Sequence, residues 1–382
     1  MGDVLFHIPA KVLFGSDVVN RAGQVAAEYG KRALLVTDSA MYEGGHIHRV
    51  KELLEKNRIS CILFDEVPSD ANTATATELV ALARASKAQL VIGLGGMRVL
   101  STAKMAALTA PSARSVYQVA AGEKPDKAPL PYIEIPASFR NHFMLKDQFV
   151  ITDGENRKTR QIYTHRELTR AILFDPALSS AMSVKYAAAA MMDTLLACIE
   201  GYLSSRSTML SDVLFLRAID ILKETIDSMA RTPDDAGHRY SAGEAGLLCA
   251  IGLSMSSQGA GGALSYTVNS RYQVPKSWTA TVLLPHILDY HAGIKPAKVA
   301  KIARALGEDI PGLDNRDDAA QASTVARRLI GKLDLPGRLR DFDLSLDDLV
   351  EVCETASALD MVSYAPVPMT SQDLYELVKQ AY

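Results

Sequence analysis

"VIGLGGMRVLSTAK" (residues 91–104) decides the fold. Its apolar first half is a strand-length run that breaks at Gly95–Gly96, and a helical pattern opens at Met97. Strand, glycine turn and helix is how α/β proteins hold a phosphate. Backbone N–H groups at the helix N-terminus face the anion, and glycine lets it approach. Met97 adds bulk where an anion would sit, whereas Arg98 adds a cation that binds phosphate directly. Two readings stay open, a nucleotide turn with altered chemistry and a βα turn without ligand. A glycine pair alone does not choose between them.

Outward from this stretch the first half alternates. "RALLVTD" (32–38) and "SCILFDEV" (60–67) read as strands, while "HRVKELLEKN" (48–57) and "ATATELVALARASK" (74–87) read as helices. Further strands are predicted at "PYIEIPA" (131–137), "DQFVITD" (147–153) and "RAILFDP" (170–176). Short apolar runs between amphipathic helices indicate βαβ units and a parallel sheet. Beyond residue 180 the pattern is helical. It runs from the alanine-rich stretch 184–205 through 211–231 and 345–358 to "TSQDLYELVKQAY" at 370–382, which opens on an N-cap threonine. The expected organisation is an α/β domain over 1–180 and an all-helical domain over 181–382. "RTPDDAGHRYSAGE" (231–244) reads as an exposed loop.

Bulk properties narrow the partners. With 382 residues, 48% hydrophobic and 22% charged, the composition is that of an ordinary globular chain with room for two domains. A net charge of −3 gives no electrostatic case for nucleic acid or an anionic membrane. No long apolar run and no charged-then-apolar leader is present, which predicts a cytoplasmic protein. Cys61, Cys198, Cys249 and Cys353 lack any CxxC spacing and read as reduced core thiols.

Five stretches together resemble the iron-containing alcohol dehydrogenases of the dehydroquinate synthase-like fold, over essentially the whole chain. They are "AKVLFGSDVV" (10–19), "LLVTDSAM" (34–41), the 91–104 stretch, "AILFDPALSSAMSVKYAAAAMMDTLLACIEGYLSS" (171–205) and "VPKSWTATVLLPHILDYH" (274–291). The resemblance implies a Rossmann-like domain followed by an all-α domain and a small-molecule ligand in the interdomain cleft. It further implies NAD or NADP as cofactor, and a homodimer built through the edge "DVLFHIPAKVLFG" (3–15).

The departures from the family fall on its functional positions. Its phosphate loop, GGGSxxDxAK, lies on Gly95, Gly96, Met97, Arg98 and onward to Lys104. Its second cofactor segment, PTTAGTGSE, lies on residues 136–144. There one hydroxyl, Ser138, survives among Phe139, Arg140, Asn141, His142, Phe143 and Met144. Arg140 and His142 are the polar anchors left in that segment. Asp38 matches an acid on the adenosine ribose, where a carboxylate accepts from ribose hydroxyls and repels a 2′-phosphate. The alternative is that Asp38 caps the following helix. Lys158 matches a lysine near the cofactor, or is a surface lysine.

The family holds one divalent metal with an aspartate and three histidines. On the matching positions this chain has Asp193, Ala197, Gly262 and Lys276. One carboxylate does not hold such an ion, so no metal is expected. Lys276 is expected to pair with Asp193 as a stand-in for the lost dication. Tyr266, beside that lysine, becomes a proton donor to a carbonyl oxygen, because an ammonium lowers a phenol's pKa. The catalytic candidates are Tyr266, Lys276, Asp193 and His142. Three readings stand: a metal-independent NAD(P)-dependent oxidoreductase on an alcohol, aldehyde or ketone; a cleft enzyme with non-redox chemistry on an anionic substrate; and a non-catalytic binding or assembly relative.

Overall fold

A computed structural model describes residues 6–8, 10–164, 167–233, 235–308 and 315–382. Residues 3–5 and 9 of the expected dimer edge lie outside that set. The chain divides into two compact units, His7–Met182 and Ser183–Tyr382, the latter together with Phe6.

The first unit is built on a six-stranded sheet. Its strands are β1 (Lys11–Phe14), β2 (Arg32–Val36), β3 (Ser60–Phe64), β4 (Leu90–Gly95), β5 (Tyr132–Pro136) and, after a separate hairpin, β8 (Thr169–Phe174). All neighbours run parallel, in the order β1-β8-β5-β4-β2-β3. Helices α1 (Ala22–Ala27), α2 (His46–Lys56), α3 (Thr73–Ala85), α4 (Met97–Thr109) and α5 (Val116–Ala120) complete the unit. Such sheets are covered on both faces, so their central strands read as unbroken apolar runs. Every residue of β4 is buried, and Leu35, Ile92, Ile133 and Leu173 share one core with Val25, Ile47, Val50 and Leu54 from α1 and α2.

From β2 the chain moves outward to β3, then returns through α3 to β4 on the other side of β2. The β2/β4 boundary is therefore a topological switch point. Open α/β sheets bind ligands in the crevice beyond the strand C-termini at such a point. Asp38 follows β2, and Gly96 follows β4.

The sequence places "DQFVITD" in the same sheet. Instead, β6 (Gln148–Thr152) pairs antiparallel with β7 (Thr159–Tyr163) in a separate hairpin whose turn carries Lys158. Nothing in the sequence reading marked β7.

The second unit is helical among the described residues: α6 (Val184–Leu203), α7 (Met209–Met229), α8 (Gly237–Ser254), α9 (Ala260–Tyr272), α10 (Lys276–Ile294), α11 (Pro296–Ala305), α12 (Asn315–Lys332), α13 (Leu346–Ser357) and α14 (Ser371–Gln380). The reading of 231–244 as a loop is wrong over most of its length, because α8 begins at Gly237. Its glycines permit close packing. A Cβ at Gly252 would meet the Phe215 ring at 2.6 Å, and one at Gly201 would meet it at 2.4 Å. Phe215 of α7 thus wedges between α6 and α8 where both lack side chains. No helix among the described residues is long and apolar enough to cross a membrane.

Candidate functional site

At the switch point the α/β unit has a glycine turn that opens a helix. Gly95 has φ +151°, a conformation that side chains rarely adopt, and a Cβ there would press on Val99 at 3.1 Å. Nothing lies within 4 Å of a Cβ at Gly96, so the space over the first turn of α4 is open. Gly96 is the N-cap and offers no side chain to the orphan N–H groups behind it. Met97 was expected to add bulk to the turn. Its side chain is buried. Arg98 is exposed, and its guanidinium donates to the Ser69 carbonyl on the loop before α3.

Asp38 stands across the switch point. It precedes a 3-10 turn, Ser39–Gly45, but makes no side-chain cap bond to it. Its Oδ1 is buried without a hydrogen-bond partner. Burial pushes its carboxyl above the usual range, and the Arg98 guanidinium and the Ala40 and Met41 N–H groups pull it back in part. Gly154 of the β6–β7 turn donates to Thr73 Oγ1 at 2.9 Å, and Arg157 pairs with Asp70 at 3.5 Å. That turn, with exposed Lys158, is thereby tied to the loop that Arg98 touches. Asp38, the Gly95–Arg98 turn and the Lys158 turn thus gather around one end of the sheet.

The loop after β5 joins them. Ala137 N–H donates to the Gly95 carbonyl at 2.9 Å. Ser138 Oγ accepts from Arg140 N–H at 3.3 Å, a local turn bond that occupies the surviving hydroxyl. His142 is buried. Beneath the loop lies an ion pair that the sequence reading passed over. Lys104 Nζ is 2.8 Å from Glu134 Oε2, and Asn141 donates to the same carboxylate. An acid inside the apolar strand "YIEI" was the signal that could have found it, since a buried charge requires a partner.

Of the four catalytic candidates, the structure brings three together, in the helical unit. Asp193 on α6 accepts from Lys276 at the start of α10, both fully buried. The Lys276 ammonium also lies 4.6 Å from the centroid of the Tyr266 ring. That is a cation–π contact with the ring. The Tyr266 hydroxyl donates to Gln258 Oε1 at a long 3.5 Å. Gln258 packs where a side chain at residue 262 would go, with its Nε2 2.9 Å from a Cβ built at Gly262. That Nε2 and the hydroxyls of Ser277 and Thr279 are buried without hydrogen-bond partners. His142 belongs to the other unit. The indole of Trp278 stacks on Phe342 at 6.0 Å.

Glu200, one turn beyond Ala197, was also missed. Its carboxylate accepts from Gly261 N–H at 2.6 Å and from Gly259 and Gly262 N–H at 3.0 Å each. It caps α9 from a neighbouring helix, satisfying donors that the helix cannot. Burial raises its pKa, and these three N–H groups and Lys276 oppose the rise.

The residues do not fit a divalent ion. The four matching positions supply one carboxylate, already engaged by an ammonium, and two side chains without donors. Among the described residues no group of three or more His, Cys, Asp or Glu side chains is placed to hold a metal.

A switch-point anion turn on a parallel sheet, followed by an all-helical unit, is the plan of a known class of dehydrogenases. The chain belongs to the iron-containing alcohol dehydrogenase family. Residues 9–176 match "Iron-containing alcohol dehydrogenase", and residues 187–382 match "Fe-containing alcohol dehydrogenase family, C-terminal". It is 24% identical over 380 residues to 1,3-propanediol dehydrogenase of Klebsiella pneumoniae, covering 99% of this chain and 98% of that protein. It is 24% identical over 374 residues to lactaldehyde reductase of Escherichia coli K12, covering 96% and 94%. A solved 1,3-propanediol oxidoreductase superposes with a TM-score of 0.93 at 23% identity, over 100% of both chains. Sulfoacetaldehyde reductase from Bifidobacterium kashiwanohense, solved with NAD+, superposes at 0.86 with 17% identity, over 100% of this chain and 99% of that one. The expected two-part fold is borne out.

Proposed function

We propose that this protein is an NAD(P)-dependent oxidoreductase acting on a small alcohol, aldehyde or ketone without a divalent metal. One observation carries the reading: at the switch point the Asp38 carboxylate lies close enough to interact with the Arg98 guanidinium, which stands beside the open Gly96 turn. A carboxylate at this position accepts from ribose hydroxyls, and a pyrophosphate fits the helix N-terminus with Arg98 beside it. The cofactor, when bound, supplies or accepts hydride. The chain's own part is the proton, which the Tyr266 hydroxyl donates to the substrate oxygen on reduction and takes back on oxidation. Lys276 holds positive charge under that ring, and Asp193 keeps the lysine in place.

A second reading, a non-catalytic relative, is favoured by the burial of Asp193, Tyr266 and Lys276, whose charges satisfy each other. Titration with NADH and then NADPH, with and without EDTA, separates the two. Saturable binding insensitive to EDTA, followed by turnover in a screen of aldehydes and ketones, is expected. Folded protein that binds neither cofactor overturns the oxidoreductase reading.

A further inference from the structure

Lys104 is 3% exposed and Glu134 is 0% exposed, so their ion pair lies wholly inside the α/β unit. Lys104 projects from α4, whose first turn is the anion turn, and Glu134 from the middle of β5. The lysine also donates to the Phe143 carbonyl at 3.2 Å, and Asn141 Nδ2 donates to Glu134 Oε1. Two of the four groups in this network therefore sit on the loop that carries Ser138 and His142. Burial raises the Glu134 pKa, and Lys104 and Asn141 oppose it. An ammonium buried this deeply requires a counter-charge.

Where that counter-charge sits is unusual against the pattern quoted above. PTTAGTGSE has its one carboxylate at the position of Met144, inside the loop. Met144 is buried and peptide-bonded to Phe143, the residue whose carbonyl Lys104 grips. Position 144 is thus beside the ammonium but uncharged, while the charge is on the strand.

We propose that the counter-charge of Lys104 has moved from position 144 in the loop to Glu134 in β5, and that Asn141 re-attaches the loop to it. A carboxylate at 144 would fix the loop to α4 directly. With the carboxylate on β5, the loop is fixed through a neutral amide and one carbonyl. Glu134 and Asn141 are positioning residues: they set where Ser138 and His142 stand relative to the Gly95–Gly96 turn. The bearing on cofactor binding rests on the oxidoreductase reading, but the clamp itself does not.

Hydrogen exchange on the full chain tests it, with NADH affinity measured alongside. Asn141→Ala removes only the loop's side of the network. It is expected to speed exchange of the amides of residues 139–146 about ten-fold while leaving β4 unchanged, as loss of one charge-assisted hydrogen bond predicts. Glu134→Ala is expected to do the same more strongly, or to fail to fold. Adding Met144→Glu to Glu134→Ala should return the loop to within about two-fold of wild-type exchange, or restore folding, because a buried lysine regains an adjacent anion. Unchanged loop exchange in Asn141→Ala overturns the clamp. A double variant no better than Glu134→Ala overturns the relocation. If the exchange results hold but wild type binds no NADH, the clamp stands and the cofactor reading fails. If wild type binds NADH and the Asn141→Ala affinity is unchanged, the loop does not position the cofactor.

Discussion

The ammonium of Lys276 lies on the carboxylate of Asp193, with the two side chains 1% and 0% exposed. Removing either partner strands the other charge in the interior, at a cost of about 3–5 kcal/mol. Replacing both with apolar groups of similar size removes the stranded charge. Lys276→Met and Asp193→Leu are each expected to lose stability of that order, and the double variant less than the sum. Urea unfolding followed by circular dichroism measures all three. Additive losses would mean that the pair is not coupled.

Restoring one histidine does not restore a metal site. A Cβ at Gly262 would come within 2.9 Å of Gln258 Nε2 and 3.1 Å of its Cβ, and Gln258 is buried. Gly262→His should therefore cost about 1–3 kcal/mol, the usual range for overpacking. Adding Gln258→Gly should return much of it. Neither variant should bind zinc while the Lys276 ammonium occupies the Asp193 carboxylate. Calorimetric titration with zinc decides this, and a stoichiometric site in either variant refutes it.

Much of the fold was legible because the signals were local. Leu90–Gly95 is uninterrupted apolar chain, and Asn72, Ser115, Ser345 and Thr370 each cap a helix with their own side chain. Helix α8 was not legible. Its four glycines argue against a helix by propensity, and of them only Gly252 is explained by the Phe215 ring of another helix. The candidate site divided in the same way. Asp193 and Lys276 were found because the family pattern names their positions. Glu134, Asn141, Glu200 and Gln258 were not, because each is defined by a partner distant in sequence. Two of these, Glu134 and Glu200, are acids inside apolar runs, and that pattern alone implies a buried donor.

Buried histidines set the acid limit of stability. His291 hydrogen-bonds the Ile287 carbonyl at 2.7 Å inside α10, and burial pulls its pKa below the ordinary 6.5. Burial lowers His46 and His286 in the same direction. With folded values below the unfolded one, the unfolded chain takes up protons first. Stability is full above pH 6.5 and falls as the pH drops toward the folded values. Each group contributes a slope of up to about 1.4 kcal/mol per pH unit in that window. Urea midpoints between pH 7.5 and 5.5 should fall accordingly, and His291→Gln should flatten the curve. An unchanged slope in that variant would remove His291 from the account.

Asp38 offers the sharpest separation of a binding role from a structural one. A capping aspartate stabilises its helix, and losing it costs about 1 kcal/mol. Asp38 shows no cap bond of good geometry to the turn after it, although the Ala40 and Met41 N–H groups do stabilise its carboxylate. Burial raises its folded pKa, so its ionised form weakens the free protein at neutral pH. Asp38→Asn removes that charge and should leave the free protein as stable as wild type or more so. The same change removes an ionised acceptor from the ribose hydroxyls and should weaken NADH binding by about ten- to a hundred-fold, the worth of a hydrogen bond to a charged group. NADPH should lose less, because the 2′-phosphate no longer meets a carboxylate. Arg98→Ala should weaken both cofactors together, since its cation serves the phosphates common to them. Fluorescence titration of NADH and NADPH against the two variants, beside their urea midpoints, reads both quantities. A stability loss in Asp38→Asn with unchanged NADH affinity would return Asp38 to the status of a cap.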